Sequence, residues 1–187
     1  MARVLQGPAE STVVMTEDDI RRALSRMAHQ VLEQHKGPKE LVFLGILTRG
    51  LPMAERLVKK IGELEGETPR VAGLDILPYR DDMAAPSFRR NGGPALGVEV
   101  ADKKVIIVDD VLFTGRSARA ALDALTDAGR PRQVQLAVLV DRGHRELPIR
   151  ADYVGKNMPT AIGERIQVKL EDVDGRDEVA LFRAAGR

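Results

Sequence analysis

The residues in this chain best suited to chemistry are two adjacent carboxylates, Asp109 and Asp110, and the short turn that follows them, Thr114-Gly115-Arg116-Ser117. Paired carboxylates repel phosphate. They suit sugar hydroxyls, a cation, or positive charge that develops during a reaction. The turn suits the opposite partner. A helix that begins there offers unpaired backbone N–H groups and the positive end of its dipole. Gly115 lets the backbone approach closely, and Thr114 and Ser117 add hydroxyl donors. Together they make a cradle for phosphate. A ligand with a phosphate at one end and a hydroxyl-bearing, cation-forming ring beside it satisfies both halves. Ribose 5-phosphate is such a ligand.

These residues need elements to hold them. Val105-Ile106-Ile107-Val108 is an unbroken β-branched run, the pattern of a parallel strand buried on both faces. The acidic pair is expected where that run stops. After the turn, Ala118, Ala121, Leu122 and Leu125 recur at helical spacing. In an open α/β sheet, ligands sit beyond the carboxyl ends of the strands. A second apolar run, Leu41 to Leu47, ends in Thr48-Arg49-Gly50 and is followed by a helix from about Pro52 to Leu64. Arg49 could grip phosphate oxygens by paired hydrogen bonds, and Gly50 frees the backbone. Taken alone, this second turn reads as a plain strand-to-helix connection; beside the turn at Thr114–Ser117 it reads as a second phosphate site.

Elsewhere, Thr16 caps a helix whose first turn is acidic, with Asp19 at the capping-box distance. Ile20, Leu24, Met27 and Val31 form its apolar stripe, and Arg22, Arg26 and His29 share another face. Gly37-Pro38 ends it. Val71–Tyr79 and Val134–Val140 read as strands. Arg165–Leu170 and Glu178–Phe182 read as a hairpin turning at Asp174-Gly175. The stretch 80–101, with Pro86, Arg89-Arg90 and Asn91-Gly92-Gly93-Pro94, has no periodicity and reads as a loop or lid.

The chain has 187 residues, 43% of them hydrophobic, which suffices for one domain with a real core. No apolar run approaches the roughly 18 residues of a membrane span, and Met1–Glu10 lacks the apolar core of a signal peptide. There is no cysteine, so thiol catalysis and cysteine metal sites are excluded. A cytoplasmic location agrees with this. A net charge of +1 gives no global case for nucleic acid, so any such surface must be a local patch.

The run Val105–Ser117 resembles the 5-phosphoribosyl 1-pyrophosphate (PRPP) motif of type I phosphoribosyltransferases: an apolar strand, two acids, a short variable stretch, then Thr-Gly-x-Ser/Thr. The resemblance narrows at Leu139-Val140-Asp141-Arg142-Gly143-His144-Arg145-Glu146-Leu147-Pro148-Ile149-Arg150-Ala151-Asp152-Tyr153-Val154-Gly155-Lys156-Asn157. That segment looks like the signature of the PyrR family, pyrimidine-operon attenuators with uracil phosphoribosyltransferase activity. Arg21–Leu24, Arg26–His29, Thr48–Gly50 and Tyr79-Arg80-Asp81-Asp82 agree with it.

The resemblance implies an α/β, type I phosphoribosyltransferase fold in a single domain over 1–187. Its central, mostly parallel sheet is flanked by helices, with a small hood and a mobile lid loop near 80–101. It implies the reaction of uracil with PRPP to give UMP and pyrophosphate, with Mg²⁺ carried by PRPP and no metal held by the protein alone. Asp109, Asp110 and Arg49 would be catalytic. Thr48, Arg49, Gly50, Arg80 and the run Asp109, Asp110, Val111, Leu112, Phe113, Thr114, Gly115, Arg116 and Ser117 would bind PRPP or UMP. Arg142, Val154 and Lys156 would meet uracil. A stem-loop in pyrimidine-operon leader mRNA would bind, in a UMP-dependent way, at Ser25, Arg26, His29, Arg142, Arg145, Arg150 and Lys156. The family also implies a homodimer or higher homo-oligomer.

Some positions depart from the family pattern. Phe113 stands where Tyr is usual and where purine-using relatives carry an Asp that accepts a proton from the base, so Phe113 does no acid–base work. Ser117 and Ser25 each replace Thr, and Pro78 precedes Tyr79 where a strand residue with an N–H is usual. Two other readings stay open: a regulator that senses UMP with little turnover, and a purine or orotate phosphoribosyltransferase. The segment Asp141–Asn157 speaks against the latter.

Overall fold

The computed structural model describes residues 11–81 and 95–183. Most of the stretch read as a lid, residues 82–94, lies outside them, as does the N-terminal segment 1–10. Among the described residues the chain forms eight strands and four α-helices. They are β1 (Ser11–Met15), α1 (Glu17–His35), β2 (Leu41–Ile46), α2 (Gly50–Glu65), β3 (Arg70–Leu74), β4 (Lys104–Leu112), α3 (Arg116–Ala128), β5 (Gln133–Asp141), β6 (Tyr153–Asn157), β7 (Arg165–Lys169), α4 (Glu171–Asp174) and β8 (Glu178–Phe182).

The main sheet has the order β3-β2-β4-β5-β6 and every neighbouring pair is parallel. A parallel sheet needs cover on both faces, and alternation along the strands supplies an apolar surface to each. Phe43, Ile106, Val108, Ala137 and Leu139 pack with α1 and α2, whereas Val42, Leu44, Val105, Ile107, Leu136 and Val138 pack with α3. Each large side chain fully buried there contributes about 1.5–3 kcal/mol. The strand order reverses direction between β2 and β4, because β2 leads outward to β3 and β4 leads the other way to β5 and β6. That crevice, at the carboxyl ends of β2 and β4, is where such sheets bind ligands.

A second, antiparallel sheet, β1-β8-β7, forms the hood. Strands β7 and β8 pair as expected, but not through a tight turn. The connection contains α4, capped by Gly175 at φ 75°. Strand β1 had no sequence signal strong enough to draw it out. The expected strand Val71–Tyr79 stops at Leu74, and a 3₁₀ turn follows over Leu77–Tyr79. Pro78 removes a ladder donor, and the Asp75 carboxylate accepts from the Leu77 N–H at 3.0 Å, which bends the chain out of the sheet.

Helix α1 starts as its sequence dictates. Thr16 accepts from the Asp19 N–H while Asp19 accepts from the Thr16 N–H, a complete capping box. Its stripe Ile20, Leu24, Met27, Val31 is buried. Among the described residues no helix is long and apolar enough to cross a membrane.

Candidate active site

Strand β4 does not end at the acidic pair; it runs through Asp109 and Asp110 to Leu112. What ends is one of its partners. The β2 ladder stops at Gly45 against Val108, whereas the β5 ladder continues to Leu112 against Asp141. Past Val108 the β2 side of the strand is therefore open, and the acidic pair sits at that opening. The Asp109 carboxylate accepts from the Asp110 N–H at 2.9 Å, and Asp110 accepts from the Val111 N–H at 2.8 Å. Burial pushes the Asp109 carboxyl well above the ordinary carboxylate range, and repulsion from Asp110 pushes it further; burial also raises Asp110. Arg80 and Arg49 oppose these shifts at Asp109 and Asp110 respectively. The pair is thus poised to be relieved by arriving positive charge or hydroxyl donors.

Beside the pair lies a cavity of about 320 Å³, lined by Asp109, Arg80 and the loop from Val111 to Ala118, with Glu146 on its rim. Gly115 sits at φ 95°, a conformation that favours glycine, and α3 begins at Arg116. The turn is braced from outside. The Glu146 and Leu147 N–H groups donate to the Thr114 carbonyl at 3.0 and 3.1 Å. Thr114 Oγ1 lies 3.4 Å from the Arg116 N–H, and Arg80 Nη1 lies 3.4 Å from Ser117 Oγ. The Arg116 side chain turns aside, pairing with Glu146 at 2.7 Å and Asp81 at 3.4 Å. What Arg116 offers a phosphate is therefore its backbone at the helix N-terminus.

The second loop, Thr48-Arg49-Gly50, follows a cis Leu47–Thr48 peptide. Gly50 is buried at the start of α2, and a Cβ on it would lie 2.3 Å from the Val108 carbonyl oxygen. Its glycine is required by this helix-to-strand packing, a constraint the sequence reading missed. That close approach presses the N-terminus of α2 against β4 one residue before Asp109. Arg49 makes a two-point pair with Asp174 of α4, Nε to Oδ2 at 3.0 Å and Nη2 to Oδ1 at 2.7 Å. This partner, far away in sequence, was invisible there, since Asp174 read as a turn residue. Glu146 and Asp81, which steer Arg116, were missed for the same reason.

Phe113 forms part of the cavity wall, and the Arg142 guanidinium lies over its ring at 4.0 Å from the centroid. Arg142 is buried, donating to Thr160 Oγ1 at 3.0 Å and to the Glu164 carbonyl at 2.7 Å. As placed it ties the phosphate turn to the loop before β7, and its buried guanidinium does not fit a direct RNA contact. Of the other residues read as uracil contacts, Val154 packs toward α3 and Lys156 donates to the Val14 carbonyl at 2.9 Å. Neither residue lines this cavity, and β6 lies beyond β5 at the edge of the sheet.

The residues read as RNA contacts divide into separate groups. Ser25, Arg26 and His29 lie on α1, where Arg26 donates to the Gly155 and Val154 carbonyls and His29 bonds the Ser25 carbonyl at 2.8 Å. Lys156 follows directly on β6, so these four share one region. Arg145 does not join them. It pairs with Asp141 and donates to the Phe113 carbonyl at 2.8 Å and the Ile149 carbonyl at 2.9 Å. That makes it a brace of the phosphate turn. Arg150 is exposed on the α3 side of the sheet, beside Leu122 and Leu136.

Comparison with known proteins agrees with this architecture. Residues 16–172 match the family described as phosphoribosyl transferase domain. A protein of Deinococcus radiodurans named "Bifunctional protein PyrR" is 56% identical over 179 residues, covering 93% of this chain and 96% of that protein. A Bacillus mycoides protein of the same name is 53% identical over 176 residues, covering 92% and 98%. Among solved structures, hypoxanthine phosphoribosyltransferase of Trypanosoma cruzi superposes with a TM-score of 0.70 at 18% identity, covering 93% of this chain and 97% of that one. The Staphylococcus aureus enzyme gives 0.68 at 21% identity, covering 92% and 91%. Those two likenesses speak to the fold alone. The sequence matches go further, and the chain belongs to the phosphoribosyltransferases and, within them, to the PyrR proteins.

Proposed function

We propose that this protein is a uracil phosphoribosyltransferase, converting uracil and PRPP to UMP and pyrophosphate, and that it also regulates pyrimidine synthesis by binding operon leader RNA in a UMP-dependent way. One observation carries the catalytic half: Asp109, the first carboxylate of the half-buried acidic pair, lines the same cavity of about 320 Å³ as a phosphate-binding helix start.

In this reading the N-terminus of α3, with Thr114 and Ser117, holds the 5′-phosphate. Asp109 and Asp110 orient the ribose hydroxyls and stabilise the positive charge that develops on the ribose as pyrophosphate departs. Arg49 and the start of α2 take up negative charge on the leaving pyrophosphate. Preorganised charges of this kind are commonly the largest catalytic contribution, about 3–4 kcal/mol for one well-placed donor. Among the described residues no group of three or more metal-ligating side chains is gathered. Mg²⁺ fits as a companion of PRPP, with carboxylate oxygens of the acidic pair as the hard ligands this cation prefers. When bound, it would supply charge neutralisation on the pyrophosphate. Phe113 offers no proton acceptor, so in this reading the uracil ring proton passes to water or to the departing pyrophosphate as N1 bonds to the ribose.

Parallel assays with uracil, orotate, hypoxanthine and adenine test the assignment. Turnover confined to uracil supports it. Preference for a purine or orotate would overturn it, and UMP binding without turnover would leave a nucleotide-sensing regulator.

A further inference from the structure

We infer that Asp174 is a positioning residue for Arg49, holding its guanidinium in the orientation that receives the pyrophosphate half of PRPP. The inference rests on the assignment of PRPP as substrate and deepens it.

The geometry is specific. Asp174 engages Arg49 along one edge, through Nε at 3.0 Å and Nη2 at 2.7 Å. A guanidinium held along that edge keeps its end-on edge, Nη1 with Nη2, for a second planar or tetrahedral anion. Asp174 is itself fixed, because its Oδ2 also accepts from the Leu170 N–H at 2.9 Å and its own N–H bonds the Leu170 carbonyl. The turn carrying it is fastened to α2 by a second arginine. Arg56 pairs with Asp177 and Asp172, both at 2.5 Å, and Asp177 accepts from the Glu171 N–H at 2.7 Å. The Arg49 and Asp174 side chains are 31% and 20% exposed, so the pair is partly shielded from water. Arg49 also feels the charge of Asp110. An arginine side chain has several rotatable bonds and loses much freedom when fixed. Fixing it before the substrate arrives removes that cost from PRPP binding.

A carboxylate beside an incoming anion also repels it, and this gives the opposite expectation: that Asp174 competes with pyrophosphate. Two features favour positioning. Asp174 occupies the side edge of the guanidinium and leaves the end-on edge open. Its second bond, to the Leu170 N–H, anchors it away from that open edge.

The test uses Asp174→Asn and Asp174→Ala in the full-length protein. In Asp174→Asn the amide oxygen can keep both the Leu170 N–H and Arg49 Nε, while the amide nitrogen faces Arg49 Nη2 donor to donor, so the turn persists and the two-point charged grip falls to one neutral hydrogen bond. The expected result is a rise of about tenfold in KM for PRPP, and in KM for pyrophosphate in the reverse reaction, the size of one charged hydrogen-bonded pair. The change in kcat should be smaller, and UMP binding, which needs no pyrophosphate contact, unaltered. In an Arg49→Ala background, adding Asp174→Asn should change neither KM further. A fall in KM for PRPP would overturn the inference in favour of competition. Parallel loss of UMP affinity and thermal stability in both Asp174 variants would reduce Asp174 to a structural latch. Wild-type kinetics in Asp174→Asn would remove any role. If wild-type protein makes no UMP, or if Arg49→Ala leaves KM for PRPP unchanged, the substrate assignment itself fails first.

Discussion

Two half-buried carboxylates side by side are costly, and their cost is the clearest consequence of this structure at the level of single residues. Burial and mutual repulsion hold Asp109 well above the ordinary range, so its folded-state pKa exceeds that of the unfolded chain. Below an ordinary aspartate pKa, about 4, both states carry the proton and nothing is lost. As pH rises beyond it the unfolded chain ionises first, and folding is penalised progressively. Asp109→Asn should therefore melt higher than wild type near pH 8, by roughly 2–4 °C for each kcal/mol in a chain of this size. The gain should vanish as pH falls toward 4. Melting curves of both proteins across that range check the sign, and an unchanged difference at low pH would show that desolvation of the carboxylate is not its source. The same residues should be indispensable to catalysis. Asp109→Asn combined with Asp110→Asn should abolish UMP formation while the fold persists, and substantial turnover would rule out the role given to the pair. Arg49→Ala should weaken PRPP and pyrophosphate much more than UMP, measured by competition binding. Equal loss for all three would mark Arg49 as structural.

At the scale of elements, what could be read in advance was what local sequence determines. The capping box at Thr16 and Asp19, the buried runs of β2, β4 and β5, and the turn before α3 all follow from neighbours in the chain, and each stands as read. Tertiary partners were not legible. The end of the β2 ladder at Val108 decides where the acidic pair opens to the cavity, and no local pattern states it. The Arg49–Asp174 pair and the inward turn of Arg142 onto Phe113 are likewise products of the folded sheet. Gly50 shows the difference most sharply. Its sequence context suggested access for phosphate, while its space is taken by the Val108 carbonyl. Gly50→Ala should therefore push α2 from β4, costing about 1–3 kcal/mol as overpacking does, and should disturb PRPP binding in step with stability. Denaturant unfolding beside PRPP kinetics would show the two effects together. Normal stability with weakened PRPP would assign Gly50 to backbone access instead of packing.

Across the whole molecule, the basic residues that the family resemblance assigns to RNA belong to different structures and should give different phenotypes. Arg26 and His29 on α1 lie in one region with Lys156 on β6, away from the cavity. Arg145 instead braces the carbonyl of Phe113 within the phosphate turn. Changing Arg26, His29 or Lys156 to Ala should therefore weaken binding of pyrimidine-operon leader RNA while leaving UMP synthesis nearly normal. Arg145→Ala should impair UMP synthesis, because the turn loses its support. With no aromatic platform on the α1 patch, the contacts should be mainly to phosphate and shape. Each one lost should then reduce the slope of log affinity against log salt by about 0.7 on single-stranded and about 0.9 on duplex RNA, taking the duplex figure from B-DNA. Nucleotide enters through linkage: if UMP strengthens RNA binding, RNA must strengthen UMP binding by the same factor. Filter-binding titrations over a salt series, with and without UMP, measure all of these quantities. Wild-type RNA affinity in the Arg26, His29 and Lys156 variants would remove the patch. Loss of UMP synthesis in those same variants would show that the RNA face and the active site are not separable, and that the strand β6 edge transmits directly to the phosphate turn.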